Sequence, residues 1–255
     1  MSEQVSKDAP QPMVEMCQLG KDYGEFTALH SLSLSIKRGE VFGFLGPNGA
    51  GKTTTIRLLT GLLEPTRGDV RVKGMSVHEH PEQTKSMMGY IPDQPFLYDK
   101  LTGDEYVAFV AGLWGMEKED AIAAAKPYLE RFKLSQVRSE LVEGYSHGMK
   151  QKLVMSAAFC HSPELLVVDE PTVGLDPRSV LILKEIFRQL ASHGATVFLS
   201  THSLDVAETV CDRIGILHKG RLIAEGTMAQ LRERASSDGG NLESVFLTLT
   251  EEEEQ

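Results

Sequence analysis

The chain has 255 residues, a formal net charge of −10, 24% charged and 41% hydrophobic residues. A chain this long buries about 70–75% of its unfolded surface, and no apolar stretch approaches the roughly 20 residues of a membrane-spanning helix. Three cysteines (Cys17, Cys160 and Cys211) without ligand-like spacing fit a reducing compartment, and the acidic balance argues against general nucleic-acid binding.

Residues 1–12 are polar, carry Pro10 and Pro12, and lack the apolar segment of a secretory signal. They are predicted to form a disordered lead-in. A strand is predicted over 41–45, ending at Gly46, followed by a helix over 53–63 with Ile56, Leu59 and Leu63 on one face. Pro65 blocks its continuation. Residues from about 94 to 159 read as helices with no strand of similar quality, which suggests an inserted helical lobe. A strand over 165–168 runs into Asp169, and Asp176-Pro177 supplies an N-cap and a first-turn proline. The stripe Val180, Leu183, Ile186, Phe187 and Leu190 follows, closed by Gly194 in the C′ place. Strands are predicted over 196–199 and 213–217, and His218-Lys219-Gly220 turns the chain back through 221–224. The acids from Glu251 onward are expected to be a solvated tail. Strands alternating with helices predict an α/β fold with a mainly parallel sheet covered on both faces.

Gly46-Pro47-Asn48-Gly49-Ala50-Gly51-Lys52-Thr53 fits the pattern G-x-x-x-x-G-K-[ST] in full, between a predicted strand and a predicted helix. Its glycines let backbone N–H groups curl around a polyphosphate, and the helix adds its positive N-terminal end. Lys52 can reach the β- and γ-phosphates, and the Thr53 hydroxyl can ligate Mg²⁺. This is the signature of a P-loop NTPase core. The strand over 165–168 ends in Asp169-Glu170, delivered to the same sheet edge as the phosphate loop. Asp169 is placed to hold Mg²⁺, and Glu170 to deprotonate a water attacking the γ-phosphate. GTPases would want Asp-x-x-Gly and Asn-Lys-x-Asp, and neither occurs in a matching place. Ser200-Thr201-His202 ends the next strand, where His202 could hold the γ-phosphate or the water. Ser146 would cap the helix that follows Tyr145, either as a plain capping serine or as part of an anion site.

The ordered set of phosphate loop, helical insert, Ser-x-Gly helix start, Asp-Glu strand, Gly174-Leu175-Asp176 turn and strand-end His202 resembles the nucleotide-binding subunit of ABC transporters. The resemblance runs from about Met13 to Ala224. Tyr145-Ser146-His147-Gly148-Met149-Lys150-Gln151 and Leu242-Glu243-Ser244-Val245-Phe246 are similar to single-cassette exporters for drugs, antibiotics, lipids or polysaccharides. The resemblance implies an ATPase domain over 13–225, including an antiparallel β subdomain, and a C-terminal extension over 226–255. It implies that Tyr23 stacks on adenine and that Gly46, Pro47, Asn48, Gly49, Ala50, Gly51, Lys52, Thr53 and Thr54 contact the nucleotide. Glu170 matches the catalytic carboxylate, Asp169 the magnesium-side acid, and His202 the switch histidine. Ser146 and Gly148 match the signature that grips ATP on the opposite subunit, and Asp176 the loop that touches it.

Two positions depart from the family pattern. His147 stands where a glycine is usual, in a loop that comes close to phosphate. The glutamine that usually senses Mg²⁺ is expected directly after Pro92, where this chain has Asp93, with Gln94 one step later. Either residue can take the role. With one phosphate loop and one signature, a complete site needs two chains, as a homodimer or with a paired ATPase subunit, closing head to tail around two ATP. The implied partner is a separate membrane-spanning permease, which would hold the protein on the cytoplasmic face of the cell membrane. Pro95-Phe96-Leu97-Tyr98 and the stretch 106–114 are candidates for its docking surface or for the lobe's own core. The competing reading is a soluble ABC-type ATPase of translation, repair or regulation. Those classes carry two cassettes or a long coiled-coil interruption, which this sequence lacks, or hydrolyse ATP poorly, which Glu170 and His202 oppose.

Overall fold

The computed structural model describes residues 11–235 and 242–252. Residues 1–10 of the expected lead-in and 253–255 of the expected tail lie outside them. A six-stranded sheet runs in the spatial order β10 (Arg221–Gly226), β9 (Arg213–His218), β3 (Val41–Leu45), β8 (Thr196–Thr201), β7 (Leu165–Asp169) and β6 (Met88–Ile91). Five of these strands are parallel, and β10 returns antiparallel along β9. A second, antiparallel sheet has the order β2 (Phe26–Ile36), β1 (Val14–Tyr23), β4 (Arg67–Val72) and β5 (Met75–Ser76).

Alternation along the parallel strands splits the core in two. Leu165 and Val167 join Phe42, Phe44 and Phe198 on one face, while Leu166 and Val168 join Val41, Val197 and Leu199 on the other. The first face is closed by the antiparallel sheet, through Met16, Leu32 and Val70, and by Ile56 and Leu59 of α1 (Lys52–Leu59). Helices close the second face: α3 (Gly103–Gly112), α4 (Lys118–Arg131), α5 (His147–Cys160) and α6 (Pro177–Ser192) contribute Val107, Leu129, Phe159 and Phe187. The remaining helices are α2 (Pro81–Ser86), α7 (Leu204–Val210), α8 (Met228–Arg234) and α9 (Leu242–Glu252). Leu231 of α8 and Leu242, Val245 and Leu249 of α9 are buried with Ile216 and Ile223 of the sheet.

Three details differ from the expectation. The helix after the phosphate loop stops at Leu59 and does not reach residue 63. The Thr60 hydroxyl bonds back to the Ile56 carbonyl (2.8 Å), and Gly61 at φ 66° turns the chain before Pro65 can act. β8 continues two residues past Leu199, to Thr201, and β10 two past Ala224, to Gly226. α9 runs to Glu252, into the stretch expected to be a solvated tail. Among the described residues no helix is long and apolar enough to cross a membrane.

Candidate functional site

Strand register gathers four segments at one edge. Leu45 of β3 pairs with Thr201 of β8, Ser200 with Asp169 of β7, and Val168 with Ile91 of β6. The phosphate loop, Asp169-Glu170, His202 and Asp93-Gln94 therefore leave the sheet side by side at its C-terminal edge, where parallel sheets bind ligands.

Lys52 is buried, and its Nζ donates to the carbonyls of Gly46 (2.7 Å) and Pro47 (3.3 Å), which centres the ammonium in the loop's arc. Burial pulls its pKa down, while Glu170 and Asp169 oppose that pull. Gly51 is the N-cap of α1 at φ 109°, a conformation that side chains avoid. A Cβ on Gly46 would lie 2.4 Å from the Leu217 carbonyl oxygen. These glycines thus serve packing against the neighbouring strand as well as approach to an anion. The turn between β9 and β10 braces the loop: Gly220 N–H donates to the Ala50 carbonyl (2.9 Å), and its own carbonyl accepts from His30 N–H (3.0 Å).

Asp169 is 3% exposed. Burial pushes its carboxyl pKa up, Asp93 and Glu170 push the same way, and Lys52 opposes them. Asp169, Asp93, Gln94 and Thr53 offer oxygen donors, a set suited to a hard divalent cation. No cluster of three or more His, Cys, Asp or Glu able to hold a metal occurs among the described residues.

Glu170 sits at φ 46°, a left-handed backbone that costs a non-glycine residue of order 1–3 kcal/mol. Its N–H donates to the Ser200 carbonyl (2.9 Å). Three donors or partners converge on Oε2: His202 Nδ1 at 2.8 Å, His202 N–H at 3.2 Å and the Thr201 hydroxyl at 3.3 Å. Oε1 takes no hydrogen bond from the described residues. The arrangement is that of an aimed carboxylate with one oxygen in reserve, able to accept a proton from a water.

Two cavities flank the phosphate loop. One, of about 250 Å³, extends from Tyr23 and Phe26 to Lys52, Thr53 and Thr54. The other, of about 420 Å³, is walled by Asn48, Asp93, Gln94, His147, Glu170 and His202. Asp93 Oδ1 accepts from Gln94 N–H (2.8 Å), and both side chains stay on the cavity wall. Ser146, Gly148 and Asp176 line neither cavity. Ser146 caps α5, its hydroxyl accepting from Met149 N–H (3.3 Å). The Asp176 carboxylate takes Lys152 Nζ (2.8 Å) and the N–H and hydroxyl of Ser179 (3.0 and 2.7 Å). These hydrogen bonds, Lys152 first, hold its pKa far below the usual carboxylate range.

Sequence reasoning did not single out Phe26, which is 64% exposed in the first cavity. It pairs with Tyr23 across a tight turn at Gly24, so two aromatics flanking a glycine turn were the available signal. The aromatic stretches of the lobe divide between their two readings. Tyr106, Val107 and Ala111 are buried in the lobe core, whereas Phe96, Tyr98, Phe109 and Leu113 are exposed. Tyr98 stacks edge-on with both Phe96 (6.0 Å) and Phe109 (5.1 Å), forming a continuous aromatic surface.

The family described as ABC transporter matches residues 29–173. The linearmycin resistance ATP-binding protein LnrL of Bacillus subtilis (strain 168) is 38% identical over 226 residues, covering 89% of this chain and 73% of that protein. A solved ATP-binding subunit of an ABC transporter superposes with a TM-score of 0.89 at 35% identity, over 93% of this chain and 99% of the other. An ATP-binding cassette solved as a dimer in a post-hydrolysis state, with ADP and Pi bound, superposes with a TM-score of 0.75 at 25% identity. That match covers 85% of this chain and 99% of the other.

Proposed function

This chain belongs to the ABC transporter family as an ATP-binding, ATP-hydrolysing subunit, and from that premise we propose how its residues divide the work. Two ATPase chains close around two ATP, and the pair drives a separate membrane-spanning permease. Residues 13–225 form the ATPase domain and 226–255 an extension of it. The protein works at the inner face of the membrane, held there by its permease. The exposed aromatic surface of Phe96, Tyr98 and Phe109 supports docking through the helical lobe. Export is the direction favoured, since LnrL is named for linearmycin resistance.

One observation carries the chemistry: the Glu170 carboxylate, pinned through Oε2 by Thr201 and His202, stands beside the phosphate loop and its buried lysine. Tyr23, with Phe26 beside it, takes the adenine, and the loop N–H groups with Lys52 take the phosphates. Thr53 and Asp169, with Asp93 or Gln94, would hold Mg²⁺. When bound, Mg²⁺ neutralises charge developing between the β- and γ-phosphates. Glu170 Oε1 accepts a proton from the attacking water, and His202 keeps that carboxylate in its aim. Ser146 and Gly148 lie away from both cavities of their own chain, in keeping with a signature that serves the ATP of the opposite subunit.

An ATPase assay with and without membranes tests the reading. Turnover that requires Mg²⁺ and responds to membranes containing the permease is expected. A chain that binds ATP but never hydrolyses it under either condition would instead be a regulator.

A further inference from the structure

His147 opens α5 in regular helical backbone, and its ring turns back over the loop that follows Glu170. A Cβ on Gly174 would lie 2.4 Å from His147 Cδ2 and 3.0 Å from Nε2. Gly174 sits at φ 78°, and a Cβ on Gly148 would lie 2.6 Å from the Gly174 carbonyl oxygen. The first turn of α5 and the loop 171–175 therefore meet through two glycines and one imidazole. That loop is anchored at both ends. The Glu170 carbonyl accepts from Val173 N–H (3.4 Å), and Asp176 takes Lys152 Nζ (2.8 Å) from further along α5. The same imidazole walls the cavity shared by Glu170 and His202.

We propose that His147 is a positioning residue for hydrolysis, clamping the loop after Glu170 onto the start of α5. This inference rests on the ATPase reading of the site. A strained residue keeps its conformation only where its surroundings over-determine it. Thr201 and His202 hold the Glu170 side chain from one side, and the loop clamped by His147 holds its backbone from the other. The start of α5, which meets the partner chain's ATP, then moves together with the loop that leaves Glu170. The side chain at position 147 makes this link by filling the space that a Cβ on Gly174 would need.

Steady-state kinetics of His147→Ala, Gly174→Ala and the double variant test the clamp. His147→Ala should lower kcat roughly 10-fold, with KM for ATP changed by less than about 2-fold. Gly174→Ala drives its Cβ into the ring and should lower kcat at least as much. In the double variant that clash is gone and only the strain at φ 78° remains, so its turnover should equal or exceed that of Gly174→Ala alone. Losses that multiply, or a His147→Ala protein with unaltered kcat, would overturn the proposal. Direct ATP titration of each variant should give near-native affinity, which keeps misfolding apart from mispositioning. If Gly174→Ala does not fold, the kcat of His147→Ala alone decides. An unaltered His147→Ala beside an inactive Glu170→Gln sinks the clamp and leaves the ATPase reading standing, whereas a native chain without Mg²⁺-dependent turnover sinks that reading instead.

Discussion

Glu170→Gln is expected to reduce steady-state ATP turnover by roughly 10²–10⁴-fold while ATP binding persists. The amide has the shape of the carboxylate, so it can keep the contacts with Thr201 and the His202 N–H through its carbonyl oxygen. The NH₂ then occupies the place of Oε1, which has no hydrogen bond from the described residues. A proton acceptor becomes a donor at the one oxygen left for water. Nucleotide affinity should change little, because the loop, Lys52 and the Tyr23 groove are untouched. On the proposed reading, in which two chains close around two ATP, ATP-bound pairs should accumulate because the ATP that joins them is not consumed. Unchanged turnover would remove Glu170 from the role of base. A simultaneous loss of ATP binding would mean that the substitution had disturbed the site's structure.

Lys52→Ala should act on the other half of the site. Nζ is held by the Gly46 and Pro47 carbonyls at the centre of the phosphate loop, so its charge is in place before a nucleotide arrives. Removing a charged hydrogen-bond donor costs about 1.5–3 kcal/mol, which corresponds to roughly 10–100-fold in ATP affinity. Direct titration should register that loss in full. Turnover should fall as well, through weaker binding and through loss of charge opposite the γ-phosphate. A Lys52→Ala protein that binds ATP as tightly as the native chain would contradict the assignment of residues 46–54 to phosphate.

The catalytic edge was legible in the sequence because its strands are buried on both faces. β7 is an unbroken apolar run up to Asp169, and the fully buried cores of β3 and β8, broken only by Gly43 and the flanking Thr and Ser residues, end at Gly46 and just before His202. Asp176, Pro177 and Gly194 marked α6 equally well, since caps are local physics. The strands of the four-stranded antiparallel sheet did not declare themselves. β1 slips register between Met16 and Leu19, again by Lys21, and once more before Asp22, and each slip breaks the two-residue period by which a strand is read. β6 is short and includes Gly89, too little for a propensity signal. What the site owes to tertiary contact was hidden for a different reason. The left-handed backbone of Glu170 and the seating of His147 against Gly174 arise from segments far apart along the chain. His147 looked like a disturbance of a phosphate-facing loop; in the fold it forms an ordinary first turn, and its ring packs on the loop behind it.

The proposed function requires this ATPase to act on a membrane-spanning partner. The most direct test is affinity capture of the Glu170→Gln protein with Mg·ATP from detergent-solubilised native membranes, with the recovered proteins identified by mass spectrometry. A polytopic membrane protein is expected in stoichiometric amount, together with a second ATPase chain that is either another copy or a paired subunit. An ATP-bound pair recovered with no integral membrane protein would contradict the proposed function, leaving the ATPase chemistry intact but its transport role without a carrier.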